Sequence, residues 1–219
     1  MAEYFSMFQK YLPLLLGGMK ITILIAVFGV IIAIVLGIIV CAMQLCHIKI
    51  LNRIATLYIT IIRGMPLMIL ALFLYFGVIK SALPLLASAS LILGLNASAY
   101  LAEIFRGGIQ AIDEGQVEAA RSLGLSSSKT MRLVVFPQAV KIMIPSLMNQ
   151  FITSLKDTAI LSAISVNELT MSAKSIIARN YKAFEVYSYA AIMYIVLITV
   201  LTILSKRVEK KLAYDKRRH

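Results

Sequence analysis

Two carboxylates, Glu103 and Asp157, stand in stretches that are otherwise nearly free of charge, and each closes a polar stripe. Asn96, Tyr100 and Glu103 recur at i, i+4 and i+7; Asn149, Thr153 and Asp157 recur every fourth residue. Each set lies on one face of a helix. Two acids and an amide facing one space would attract a cationic group through charge-assisted hydrogen bonds. Arg63, in Arg63-Gly64-Met65-Pro66, is the matching candidate for a carboxylate. A second reading stands beside each. Glu103 pairs with Arg106 or Arg63 as structural glue, Asp157 marks an interface or a break in its helix, and Arg63 snorkels to the interface. Asn96, Glu103, Asp157 and Arg63 are therefore the candidate binding residues. No catalytic residue is expected, because no nucleophile and base are paired. Two histidines without a Cys/His/carboxylate cluster give no metal site.

The elements that must position these residues cross a membrane. Of 219 residues, 60% are hydrophobic and 15% charged, with a mean hydropathy of +0.89. Ile21 to Met43, Ser81 to Ala102 and Val186 to Ser205 are uncharged runs long enough to cross about 30 Å of hydrocarbon as helices. Gly64–Ile79 and Ile142–Leu155 are shorter runs, the second interrupted by Lys156-Asp157. The pattern predicts an all-α membrane protein, a single domain over 1–219, with spans near 12–43, 54–79, 83–110, 133–165 and 186–206. Residues 3–20 read as a short polar and aromatic lead-in along the interface. A kink is expected at Pro66, which lacks a backbone donor. Gly29, Ala33, Gly37 and Cys41 form a stripe of small residues, read as a packing face. Cys41 and Cys46 read as free thiols on a reducing side.

Five spans place the ends on opposite sides. With the C-terminus inside, the inner segments carry twelve Lys and Arg, seven of them from Lys206 onward, against five in the outer segments. The positive-inside rule then puts the N-terminus outside and the C-terminus in the cytoplasm. The net charge of +12 fits anionic lipid; no aromatic-interleaved basic patch calls for nucleic acid. No cleavable signal peptide is expected from the start, Met1-Ala2-Glu3-Tyr4.

A polar island separates spans three and four. Asp113-x-x-Gln116 fits a capping box, Glu118-Ala119-Ala120 lies among good helix formers, and Gly124 stands where a left-handed or tight turn ends that helix. Ser126 can cap the helix that follows. The expectation is helix, turn and helix over 113–130.

Glu118-Ala119-Ala120, Gly124 and Phe136-Pro137, in that order and spacing, are similar to the coupling signature of membrane subunits of bacterial ATP-binding-cassette (ABC) importers. Arg63-Gly64-Met65-Pro66-Leu67, the run Ala99 to Ile109 and Leu155-Lys156-Asp157-Thr158 resemble the polar amino-acid uptake branch. Phe136 stands where the family often has leucine. The resemblance covers nearly the whole chain. It implies a type I importer-like fold in the bacterial inner membrane, with Glu118, Ala119, Ala120 and Gly124 coupling to a cytoplasmic ATPase. It also implies a second permease copy or paralogue, an extracytoplasmic solute-binding protein, and an amino-acid cargo. The acids lean that cargo toward arginine, lysine or histidine. No glycine is followed by lysine, so the chain has no G-x-x-x-x-G-K-[ST] phosphate loop. It is not expected to be an enzyme or to hold a cofactor; ATP and Mg would be bound by the partner. The rival from another class is an ion-coupled stand-alone transporter or channel, for which no inverted repeat or filter motif is visible.

Overall fold

The computed structural model describes residues 2–79 and 82–216. Lys80, Arg217 and Arg218, which enter the charge asymmetry, lie outside the described residues. Helix α1 runs Ala2–Leu45, α2 Lys49–Gly64 and α3 Leu67–Leu72, the last widening into a π-helix over Phe73–Ile79. Helix α4 spans Leu85–Gln110 and α5 Glu114–Ser122. Helix α6 (Ser127–Thr130) passes through a π-helical turn (Met131–Val135) into α7 (Phe136–Asp157), which tightens to a 3-10 helix over Thr158–Ile164. Helix α8 is Leu169–Asn180 and α9 Ala183–Lys216.

Four stretches are long and apolar enough to cross a bilayer: Glu3–Leu45, Leu85–Gln110, Ser127–Ile164 and Ala183–Lys210. A fifth crossing is available if α2 and the stretch from α3 to Ile79, bent by 107° at their junction, count as one broken span. The described chain is thus an all-helical membrane protein.

Helices α1 and α4 form the main packing pair. The small-residue stripe does face α4: Ala33 and Cys41 are buried, Ala33 beside Ala97 and Leu101, Cys41 beside Ala99 and Ala102. The approach is close enough that a Cβ on Gly94 would lie 2.8 Å from Ile32 Cβ and 3.0 Å from the Gly29 carbonyl.

The start of the chain differs from the expected lead-in. Its turns belong to α1 without a break, because they have a partner: Leu15 with Tyr4, Phe8 and Tyr11 packs against Leu169, Ile176, Val186 and Tyr189 of α8 and α9. Tyr189 donates to the Tyr4 carbonyl at 2.7 Å and Lys182 meets Glu3 at 2.6 Å. Apolar burial against distant helices holds helical what sequence alone leaves as an interfacial segment.

Candidate functional site

The site is built around the break between α2 and α3. Pro66 lacks an N–H and disfavours helical geometry in the residue before it. Met65 is accordingly extended (φ −105°, ψ 131°), α2 stops at Gly64, and α3 restarts at Leu67. The sharp bend is the kink expected at Pro66. It places Gly64–Leu67 on the wall of a cavity of about 510 Å³ shared with α4 and α7. Asn96 and Tyr100 face it from α4, and Gln150, Thr153 and Asp157 from α7. That volume lies within the range of small-molecule sites.

Position along α7 follows from helical spacing: residues 150, 153 and 157 share one face. Asp157 is its last residue before the 3-10 segment, and Thr158 bonds back to the Leu155 carbonyl at 2.8 Å. Asn96 is buried. Beside it, Tyr58 of α2 pins α4 through the Leu95 carbonyl (3.0 Å) and Ser98 Oγ (2.6 Å).

Arg63 and Asp157 give the lining its charge. Arg63 lies over the Tyr100 ring, 5.2 Å from its centroid, a cation–π distance. The Asp157 side chain makes no hydrogen bond or ion pair among the described residues. The sequence candidates Arg63, Asn96 and Asp157 thus meet in one cavity. Glu103 is not among the lining residues. Arg106 holds both its oxygens, at 2.8 and 3.2 Å, Gln44 of α1 donates to Oε1 at 3.0 Å, and Arg63 Nη1 stands 4.0 Å from Oε2. Sequence reasoning missed Gln150 and Gln44. Gln150 sits one residue from the stripe through Asn149 and at helical spacing from Thr153 and Asp157; Gln44 carries no local signal.

A second feature is the island between α4 and α6. The Asp113 side chain caps α5 by accepting from the Gly115 N–H at 2.9 Å. The helix ends in a Schellman turn: Leu125 N–H reaches the Ala120 carbonyl at 3.2 Å and Gly124 N–H the Arg121 carbonyl at 3.0 Å. Gly124 has φ +82°, a left-handed conformation that glycine adopts without steric penalty. Ser126 caps α6. Glu118 and Ala119 are exposed, whereas Ala120 is buried against its own chain. Arg121 closes the turn by donating to Ser127 Oγ at 2.8 Å. Leu123, 84% exposed at the tip, is an outward apolar group that sequence reasoning passed over.

Residues 29–214 match the family described as the binding-protein-dependent transport system inner membrane component. The chain belongs to that family. It is similar to the glutamine transport system permease protein GlnP of Escherichia coli K12, 36% identical over 92% of this chain and 94% of the relative. The arginine transport system permease protein ArtQ of Bacillus subtilis 168 is 35% identical over 95% and 96%. A crystal structure of an amino acid ABC transporter with histidines superposes with a TM-score of 0.89 at 38% identity, covering 95% of this chain and 98% of that one. The chain is therefore an ABC transporter permease subunit of the polar amino-acid uptake branch and a multi-pass inner membrane protein. This permease is not the ATPase and belongs to a family without a cofactor of its own; ATP binds to the partner. An ATPase and a solute-binding protein are its partners by family.

Proposed function

We propose that this permease imports polar α-amino acids by alternating access, binding them in the cavity at the α2–α3 break and favouring basic side chains. The observation that carries the reading is an unpaired Asp157 and a half-exposed Arg63 on one cavity wall. Arg63 takes the α-carboxylate and Asp157 the side-chain cation. Asn96, Gln150 and Thr153 offer neutral acceptors to the α-ammonium. The α5 segment docks on the ATPase through Glu118, Ala119 and Leu123, while Ala120 and Gly124 set its shape. That arrangement puts the N-terminus outside, the C-terminus in the cytoplasm, and two permease copies or a paralogous pair in the bilayer. A solute-binding protein delivers cargo from outside. ATP-driven closure of the ATPases moves α5, and the cavity changes the side to which it opens. Cargo acts on this cycle only through its different affinity for the two states.

One observation favours a second reading. With Glu103 held by Arg106 outside the lining, Arg63 and Asp157 balance each other, which suits a zwitterion with a neutral side chain such as glutamine. Competition uptake in proteoliposomes carrying the permease, its ATPase and its binding protein decides. Arginine, lysine and histidine are expected to outcompete glutamine. Asp157→Asn should weaken the basic cargoes about tenfold to a hundredfold, the worth of a hydrogen bond to a charged group. Glutamine winning in the wild type would establish the neutral reading. Unchanged rates and ranking in Asp157→Asn would remove this cavity as the cargo site.

A further inference from the structure

Arg63 lies on the cavity wall and also stands 4.0 Å from Glu103, a residue outside that wall. Its side chain is 45% exposed, and its guanidinium rests over the Tyr100 ring. Glu103 already accepts two bonds from Arg106 and one from Gln44. Of its cationic partners Arg63 is the more distant, at the outer limit of an ion pair and open to water, so it is the contact that yields first. We propose that Glu103 is a positioning residue that competes with the cargo's carboxylate for Arg63. This rests on the reading that Arg63 receives that carboxylate.

In the structure Arg63 stands beside Glu103 and so ties the end of α2 to α4. A carboxylate in the cavity offers the guanidinium two oxygens in a fork that Glu103 cannot match at 4.0 Å. Stacking on Tyr100 supports Arg63 in either position, since a ring face needs no anion. Cargo therefore replaces a helix–helix tie with a cargo contact. The tie lies where three helices meet: Gln44 of α1 bonds Glu103 through its side chain and accepts from Asn52 of α2 at 2.6 Å through its carbonyl. Occupancy of the cavity is thereby sensed at the joint of α1, α2 and α4.

The test is equilibrium binding of L-arginine and of L-argininamide, which lacks the carboxylate, to the permease–ATPase complex in nanodiscs. If the uptake ranking favours glutamine, the corresponding L-glutamine pair is used. Glu103→Gln is expected to tighten L-arginine about twofold to fivefold, the worth of an exposed ion pair, and to leave the amide unchanged. Glu103→Asp keeps the charge one methylene further back and should give a smaller shift in the same direction. Equal shifts for acid and amide, a weaker L-arginine, or no shift would overturn the proposal; weakening of both ligands would make Glu103 a direct cargo ligand. Arg63→Gln separates this from the reading beneath it. A loss for L-arginine but not the amide, without tightening in Glu103→Gln, defeats the competition alone. Unchanged L-arginine binding in Arg63→Gln defeats both.

Discussion

Glu168 shows how much one side chain can organise. It is fully buried beyond the 3-10 segment, and its carboxylate accepts from Met171 N–H (2.7 Å), Thr170 N–H (2.9 Å) and Tyr194 O–H (3.0 Å). It thereby caps α8 and ties it to α9. Burial nonetheless pushes the Glu168 carboxyl above its ordinary value of 4.5. The folded state then holds this proton more tightly than the unfolded chain, so the contribution to stability is full below the ordinary value and is lost as pH rises through the raised one. Thermal midpoints of the purified permease against pH should show the wild type losing ground to Glu168→Gln from about pH 4.5 upward. Parallel curves would rule this out. Glu168 gave no sequence signal of its own, since the donors that converge on it come from two helices. The opposite held for Arg63, Asn96 and Asp157, singled out by charge and amide in apolar runs. Which of the neighbours Asn149 and Gln150 turns inward depends on how α7 is rotated against α4, and the pattern along one helix does not contain that.

At the scale of elements, the tightest constraint is the contact of α1 with α4. A methyl on Gly94 has no room against Ile32 and the Gly29 carbonyl, so Gly94→Ala must push the helices apart. The expected destabilisation is about 1–3 kcal/mol, read as a lower thermal midpoint in detergent. Gly17→Ala is the control: a Cβ there meets nothing within 4 Å, and the midpoint should hold. The α1 face of this contact was legible because small residues every fourth position define it, whereas its partner α4 was not. The length of α1 was not, because the partners of Tyr4 lie 184 and 185 residues away. The broken pair α2–α3 was legible as a kink at Pro66, though its angle was not: proline says where a helix stops, and neighbours say where it goes next.

For the whole molecule, the question is what the exposed tip of α5 touches. Affinity-purified wild-type permease is expected to bring a cassette ATPase with it. Leu123→Asp, which charges the apolar tip, and Gly124→Asp, which puts a side chain at φ +82°, are each expected to lose it while remaining folded and in the membrane. Retention of the ATPase by both would move the docking site elsewhere.

The chain from Ser127 to Ile164 runs as one helical stretch, with a π turn near its start and a 3-10 segment at its end. At one end it emerges from the turn that carries Leu123; toward the other it carries Gln150, Thr153 and Asp157. It is a drive shaft with the tool mounted on it. Under the proposed function, thrust applied at the α5 end needs no relay of side chains to reach the cavity, because the backbone itself is the linkage. The gear and the tool are therefore separable. On that proposal, side chains at 150, 153 and 157 can be exchanged to suit another amino acid while the same motor turns the same rod.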